Sequence, residues 1–413
     1  MLKEHWQRNL AVLWLAQTLM MMAFSFFFPF IPLYVQTLGV QGTAQAAQWA
    51  GLLSAASAIS MAIVQPIWGN LADRFGRKPM VVRSMVSAGI LTSLMGLATS
   101  PEQLLVLRFL QGALSGSVSA ANAMVASTTP RERLGYALGV MQVALFVGSS
   151  LGPLAGGLVA DSFGHRSSFF ISGVGMIAGG AVVILFAKER FARPPAGGGR
   201  RSVLKESRSL LALPTFPILI VVIFMIQLGV MVISPVLSLY VAELGGPENA
   251  ATAAGVVLGA SGAVSAASAL TIGRVSDRIG ARVILPICLL GAAAAYLPQA
   301  FIAEVWQLLL LRMLLGVFLG GLMPSANALV ARLVPQERRG AAFGLTATAS
   351  SLANAIGPLS AGAVTTRFGV RAVFLSTGLL FAASYVWASI GLRRQARASA
   401  PAGQAGKAES SGA

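Results

Sequence analysis

The sequence predicts an all-α membrane protein of twelve transmembrane helices, arranged as two pseudo-symmetric six-helix halves with both termini cytoplasmic. Three observations predict it. The first is composition: 56% of the 413 residues are hydrophobic, 10% are charged, and the mean hydropathy is +0.76. Soluble domains carry about 25% charged residues, so this chain lacks the charge to cover a soluble surface. A soluble globular enzyme and a disordered chain are both excluded. The second observation is a series of long apolar runs, and the third is an internal repeat.

The runs fall at 10–35, 49–71, 79–99, 103–124, 135–160, 167–187, 217–241, 251–273, 281–301, 305–328, 341–364 and 371–391. Each holds about 20 residues, the length a helix needs to cross a ~30 Å hydrocarbon core. The first run is longer than a signal-peptide core and more runs follow it, so it reads as a span. Basic residues set the orientation. With the N-terminus inside, cytoplasmic segments hold 25 of the 30 Lys+Arg and external segments hold three, Arg166, Arg367 and Arg371. Arg108 and Arg312 fall inside runs. This distribution accounts for the net charge of +17 without nucleic acid, whose binders carry a basic patch on a polar surface. The organisation expected is a first six-helix half at 1–187, a cytoplasmic linker at 188–213 rich in Pro and Gly, a second half at 214–394, and a disordered tail at 395–413.

The repeat is read from six matches in the same order. GNLADRFGR at 69–77 returns as GRVSDRIGA at 273–281, and LRFLQG at 107–112 as LRMLLG at 311–316, both at an offset of 204. NAMV, PRERLG and GPLAGG return as NALV, PQERRG and GPLSAG at an offset of 205, and YVQTLG returns as YVAELG at 206. Six spans per half is an even number, so both halves enter the membrane from the same side and the repeat is parallel. Parallel halves face one another across an axis normal to the membrane, with a natural site between them.

Three stretches carry chemistry. Gly69, Asp73, Arg74, Gly76, Arg77 and Lys78 form a short, sharply turned, basic loop with one acidic residue. Its glycines serve the turn. Asp73 is suited to accept from arginines or to sit at a helix N-terminus, which makes a latch between the halves. Asp277 and Arg278 repeat it, but Ala281 replaces the basic Arg77, so the second latch is expected to be weaker. The second stretch centres on Arg108, about six residues, or ~9 Å, into its run. An arginine there must face protein or water. Arg108, Gln111, Ser115, Ser119 and Asn122 fall at helical spacing and predict one polar helix face, echoed by Arg312, Gly316, Gly320 and Asn327. In the third, Gly148, Gly152 and Gly156 recur every four residues, followed by Gly157, with Pro153 among them. The bare face allows close helix approach and the proline adds a bend.

Together these stretches resemble the signatures of the major facilitator superfamily, and most closely those of its twelve-span drug:proton antiporters, in particular multidrug efflux proteins. The resemblance spans nearly the whole chain outside the linker and tail. It implies the fold named above and alternating access. It gives the loop a gating role, Arg108 a part in proton coupling, and the Gly148–Gly157 motif, which symporters of the superfamily generally lack, a part in resisting proton leak. It also suggests a bacterial cell membrane. The expected activity is export of small lipophilic or amphiphilic compounds in exchange for protons. A nutrient symporter (for a sugar, for example) and a lipid flippase are the alternatives of the same fold, and a non-transporting receptor the alternative outside it.

Several polar residues inside runs line a cavity or bond between helices: Gln17, Ser25, Gln142, Gln227, Ser234 and Asn354. The stretch from Met20 to Phe30, with three methionines and five phenylalanines, suits either a cavity wall for varied lipophilic substrates or a lipid-facing surface. All 13 acidic residues lie at run ends or in loops, whereas many drug:proton antiporters place a carboxylate in the first span. Asp73, Glu102 and Asp161 are therefore the candidate proton carriers. Arg108 and Arg312 have no carboxylate in their own layer, which favours neutral or anionic amphiphiles over lipophilic cations. No phosphate-binding loop and no His/Cys metal motif occurs, so no cofactor, metal or catalytic function is expected. Cys288 reads as a small buried hydrophobe. The expected partners are substrate, protons and membrane lipids, with no nucleic acid, and the expected unit is a monomer.

Overall fold

In the computed structural model, the described residues are 2–130, 133–189, 209–212, 216–246, 248–334 and 339–398. Among them there is no strand. The helices are α1 (Leu2–Phe27), α2 (Ile31–Thr37), α3 (Thr43–Phe75), α4 (Arg77–Met95), α5 (Pro101–Leu114), α6 (Ser117–Thr128), α7 (Leu134–Phe163) and α8 (His165–Phe186). Past the linker follow α9 (Phe216–Ile233), α10 (Leu237–Gly245), α11 (Ala250–Ile279), α12 (Ala281–Tyr296), α13 (Val305–Leu333), α14 (Arg339–Phe368) and α15 (Val370–Ala398). The tail expected from 395 thus begins in helix, and 399–413 lie outside the described residues. So does most of the linker. Within it, Leu210 is buried and Leu211 is exposed.

Among the described residues, ten of the expected spans are long and apolar enough to cross a membrane, several of them made of two helices in series. The two that fall short are α4 and α14. The first carries Arg77, Lys78 and Arg83. The second is built largely of Gly, Ala, Ser and Thr, and it lies between α3 and α9, where small side chains permit close packing. Large apolar side chains such as Ile63, Leu97, Val106, Leu185 and Leu290 are exposed, as expected of a molecule surrounded by lipid. The chain is a multi-pass membrane protein.

Each pair of apolar runs is joined by a turn set by local chemistry. Gly76, Gly164, Gly280 and Gly369 each separate two helices as a single residue, all at positive φ of 82–102°. Only glycine adopts that backbone without strain. Gly76 and Gly280 are partners at the repeat offset of 204, and Gly164 and Gly369 at 205.

The face bearing Leu2 is here the near face, and the opposite one the far face. The repeat is visible in matched contacts at the far face. The Tyr34 hydroxyl donates to the Met95 carbonyl at 3.0 Å and its ring lies 4.6 Å from Phe169. Tyr240 donates to Gln299 at 2.7 Å with its ring 4.6 Å from Phe374. One buried apolar cluster is drawn from Trp6 to Ala187 alone. The other spans the helices after the linker but also takes in Phe30, Leu33, Ala46, Ala47 and Ala160. The earlier and later helices are therefore welded where α2, the start of α3 and the end of α7 meet the helices after the linker.

Candidate translocation site

The weld is made by backbone approach. A methyl added at Gly51 of α3 would strike the Pro358 carbonyl of α14, and one at Gly255 of α11 would strike the Pro153 carbonyl of α7. Gly157 is pressed in the same way onto Ala251, and Gly362 onto Gln48 and Ala47. Each pair is the repeat image of the other. Two hydrogen bonds also cross at the far face: Ser238 Oγ donates to the Pro29 carbonyl at 2.8 Å, and Thr252 N–H donates to Asp161 Oδ2 at 2.6 Å. Nearer the near face, Gly139 of α7 and Gly344 of α14 have open space where a Cβ would stand.

The glycine motif therefore serves two contacts. Gly148, Gly152 and Gly156 hold α7 against Met21, Met22, Ser25 and Phe26 of α1, while Pro153 and Gly157 face α11. This largely decides the reading of the Met20–Phe30 stretch. Phe26, Phe27 and Phe30 are buried and Met21 and Met22 pack on the motif, so most of it is internal packing. Only Phe24 and Phe28, stacked at 5.0 Å, turn toward a charge.

That charge is Arg108, which is buried in α5. Its guanidinium carbon lies 5.4 Å from the Phe28 ring and 5.9 Å from Phe24, a cation–π arrangement. Nη1 donates to Gln111 Oε1 at 2.6 Å, and Gln111 Nε2 donates to Thr92 Oγ1 at 2.7 Å. The Thr92 hydroxyl points on to Met176 Sδ at 3.5 Å. Arg108 Nε has no hydrogen-bond partner among the described residues. An arginine does not release its proton in a protein, so Arg108 acts as a fixed positive charge.

The polar stripe expected along this span needs correction. The helix ends at Leu114, and α6 starts at Ser117 after Gly116, whose φ is 119°. Ser115, Ser119 and Asn122 therefore do not continue the face that carries Arg108 and Gln111. Ser115 and Ser119 donate locally, to the carbonyls of Gly112 and Gly116. The carbonyls released by the break are taken by other helices: Trp68 Nε1 donates to Ala113 at 2.7 Å and Ser87 Oγ to Leu114 at 3.3 Å.

Arg312 is buried in α13, with its guanidinium carbon 5.6 Å from the Tyr296 ring and 5.8 Å from Phe374. Its Nε and Nη2 lack hydrogen-bond partners among the described residues. Gly316 and Gly320 pack against Ser261 and Ser265 of α11, and Asn327 is half-buried nearer the other end. Among the isolated polar residues, Gln227 donates to Asn354 at 2.8 Å, joining α9 to α14. Gln17 is buried and its Oε1 has no hydrogen-bond partner among the described residues, and Gln142 is exposed.

In the basic loop, the side chains of Asp73 and Asp277 lie outside the described residues, while Arg74 and Arg278 are exposed. Arg77 and Lys78 bond within the helices before the linker. Their backbone N–H groups donate to Glu189 Oε1 and Oε2 at 2.8 and 2.7 Å, and Lys78 Nζ donates to the carbonyls of Ile184 and Ala187 at 2.8 and 2.7 Å. One carboxylate thus caps the start of α4 and one ammonium caps the end of α8. Asn9 exchanges two hydrogen bonds with the Lys188 backbone. The sequence reading did not single out Glu189, Thr92 or Trp68. Glu189 alone left a signal, as an acid at the start of a strongly basic segment.

A helical membrane protein welded at one face, with a buried fixed charge on each side of the weld, belongs to the class of two-lobed secondary carriers. The profile of the Major Facilitator Superfamily matches residues 13–266 and again 219–411, and the chain belongs to that superfamily. More particularly, it is 38% identical over 395 residues to the multidrug resistance protein MdtG of Citrobacter koseri, covering 95% of this chain and 97% of that protein. It is 38% identical over 396 residues to MdtG of Salmonella typhimurium, covering 95% and 98%. Among solved structures, a bacterial homologue of the human lysosomal transporter Spinster, inward-facing and unoccupied, superposes with a TM-score of 0.80 at 18% identity, covering 95% of this chain and 98% of that one. The human organic anion transporter MFSD10 superposes at 0.67 and 19%, covering 93% and 99%. At these identities the structural likeness speaks to the fold.

Proposed function

We propose that the chain is a multidrug efflux carrier that exports small lipophilic or amphiphilic compounds by alternating access in exchange for protons. The observation that carries it is the one-sided weld: backbone contacts and two hydrogen bonds close the far face, while Gly139 and Gly344, toward the near face, are unpacked. The near face is then cytoplasmic, which the 25-to-3 division of basic residues supports, and this conformation is inward-facing. The MdtG relatives, multidrug resistance proteins by name, support the substrate class.

In this reading all twelve helical segments cross the bacterial inner membrane, and 1–187 and 214–394 are the lobes that rock about the site. Substrate enters from the cytoplasm or inner leaflet and lies near Arg108 and Arg312. Among the described residues neither arginine has a carboxylate beside it, so neutral and anionic amphiphiles are accepted over cations. Each pH unit of gradient supplies ~1.4 kcal/mol per proton. The arginines stay protonated throughout and shuttle no proton, so Asp73, Glu102 and Asp161 remain the candidate carriers. The exposed Asp161, bonded across the weld, is the one whose protonation would bear directly on opening the far face.

The test uses everted membrane vesicles with an imposed gradient, acid inside, and a panel of neutral, anionic and cationic amphiphiles. Wild type is expected to release protons on addition of neutral or anionic compounds, and Arg108→Ala is expected to release none. No response from a folded wild-type protein to any compound would overturn antiport in favour of a symporter or flippase. An equal response to quaternary cations and organic anions would overturn the charge preference.

A further inference from the structure

The break between α5 and α6 has no counterpart in the second repeat, and that difference points to a moving part. Gly116 and Gly320 are partners at the offset of 204, yet α13 runs unbroken through Gly320. Three side chains surround the break. Trp68 and Ser87 take the freed carbonyls, and the guanidinium of Arg83 lies over the Trp68 ring, 3.3 Å from its centroid. At the same offset the second repeat has Ile272, Ile287 and Gly291, so every member of this clasp is replaced together. Gly320 is also pressed onto the backbone of Ser265 in α11, whereas Gly116 stands in open space with only Ser119 Oγ nearby. The carbonyl of Val317, at the position of Ala113, accepts from Ser268 without breaking its helix. A hydroxyl donor alone is therefore not enough to break the helix; the bulky indole and the unpacked glycine mark the first repeat.

We propose that α6 is a hinged gate at the near face of the first lobe, pivoting on Ser115–Gly116, and that Trp68, positioned by Arg83, is the catch that holds it open. When α6 swings into line with α5, the Ala113 and Leu114 carbonyls regain the backbone donors of Ser117 and Val118, and Trp68 and Ser87 are released. The second lobe has no such break: α13 stays continuous, with Pro324 removing only the one backbone donor that would reach the Gly320 carbonyl. The Arg108–Gln111–Thr92 chain lies on the far side of the pivot, so the gate moves without disturbing it. The gating role rests on the carrier reading above, but the motion itself lies within one lobe and is measurable without substrate.

The experiment places spin labels at Ala126 of α6 and Leu185 of α8, both exposed, in the full-length, reconstituted protein with Cys288→Ala. Rigid lobes would keep this distance fixed, and a hinge gives two populations. Trp68→Phe keeps a ring and removes the donor, and should lower the ratio of bent to straight form about fivefold. Gly116→Ala penalises the positive φ and favours continuous helix, and should lower it at least about tenfold. Should Trp68→Phe fail to fold, Ser87→Ala tests the same clasp with a smaller shift in the same direction. A single distance in wild type, or two populations that Gly116→Ala leaves in their original ratio, would overturn the hinge. Loss of flux in the vesicle assay with two populations intact would instead count against the efflux reading alone.

Discussion

Arg108 leads into a polar chain through Gln111 to Thr92, and Arg312 does not. At the offset of 204 the positions of Gln111 and Thr92 hold Leu315 and Tyr296. The same buried cation is thus set in a hydrogen-bonded relay in one lobe and in an aromatic box in the other. An internal repeat preserves the scaffold that carries a charge more faithfully than the groups that make the charge useful. In the proposed antiport, coupling chemistry is therefore assigned to the first lobe, while the second offers a fixed charge and rings.

The largest expected effect separates the two arginines directly. In proteoliposomes, Arg108→Leu should cut proton-coupled flux about a hundredfold, and Arg312→Leu about tenfold, with differences read as activation free energies. Arg312→Leu should also raise thermal stability by ~1–4 kcal/mol, since it removes a poorly paired buried charge. Equal losses in flux would break the comparison. Next come the seam glycines. Gly157→Ala meets backbone and should cost ~1–3 kcal/mol of the inward-facing state, seen as a widened far-face label distance. At its partner Gly362 the nearest atoms stand at 3.0–3.1 Å, and Gly362→Ala should cost less than ~1 kcal/mol.

A third test converts one lobe toward the other. Gln111→Leu gives the first lobe the second lobe's residue and should reduce coupled flux about tenfold, while Thr92→Val, one bond further out, should reduce it about threefold. Were Thr92→Val the more damaging, the chain would run in the opposite sense. The smallest effect is at the near face: Glu189→Gln should lower thermal stability by ~1 kcal/mol through loss of charge-assisted caps, with flux unchanged.

The helices and the repeat were legible because apolar length and sequence offsets are local properties of the chain. The burial of Arg108 and the close approach at Gly148, Gly152 and Gly156 followed from residue type and spacing alone. The break after Leu114 did not. The local signal points the wrong way, since Pro324 follows Gly320 in the unbroken helix while Ala120 follows Gly116 at the break; what decides, Trp68 and Ser87 against a packed α11, stands on other helices. The polar spacing from Arg108 to Asn122 was real, but periodicity presumes a continuous helix. The inner clasp of Lys78 was likewise hidden, because its acceptors are carbonyls at the end of α8, which no side-chain pattern announces.

That clasp has a consequence for how the molecule is made. Asn9, Lys78, Lys188 and Glu189 close the near end of the first lobe using groups that all precede residue 190. A nascent chain that has emerged just past Glu189 already carries both members of each of these bonds, before any of α9 to α15 has been translated. Membrane domains built N-terminal first gain from such early completion. The first lobe can finish its own near end while the ribosome is still at work on the second, and the far-face weld is left as the last joint to set.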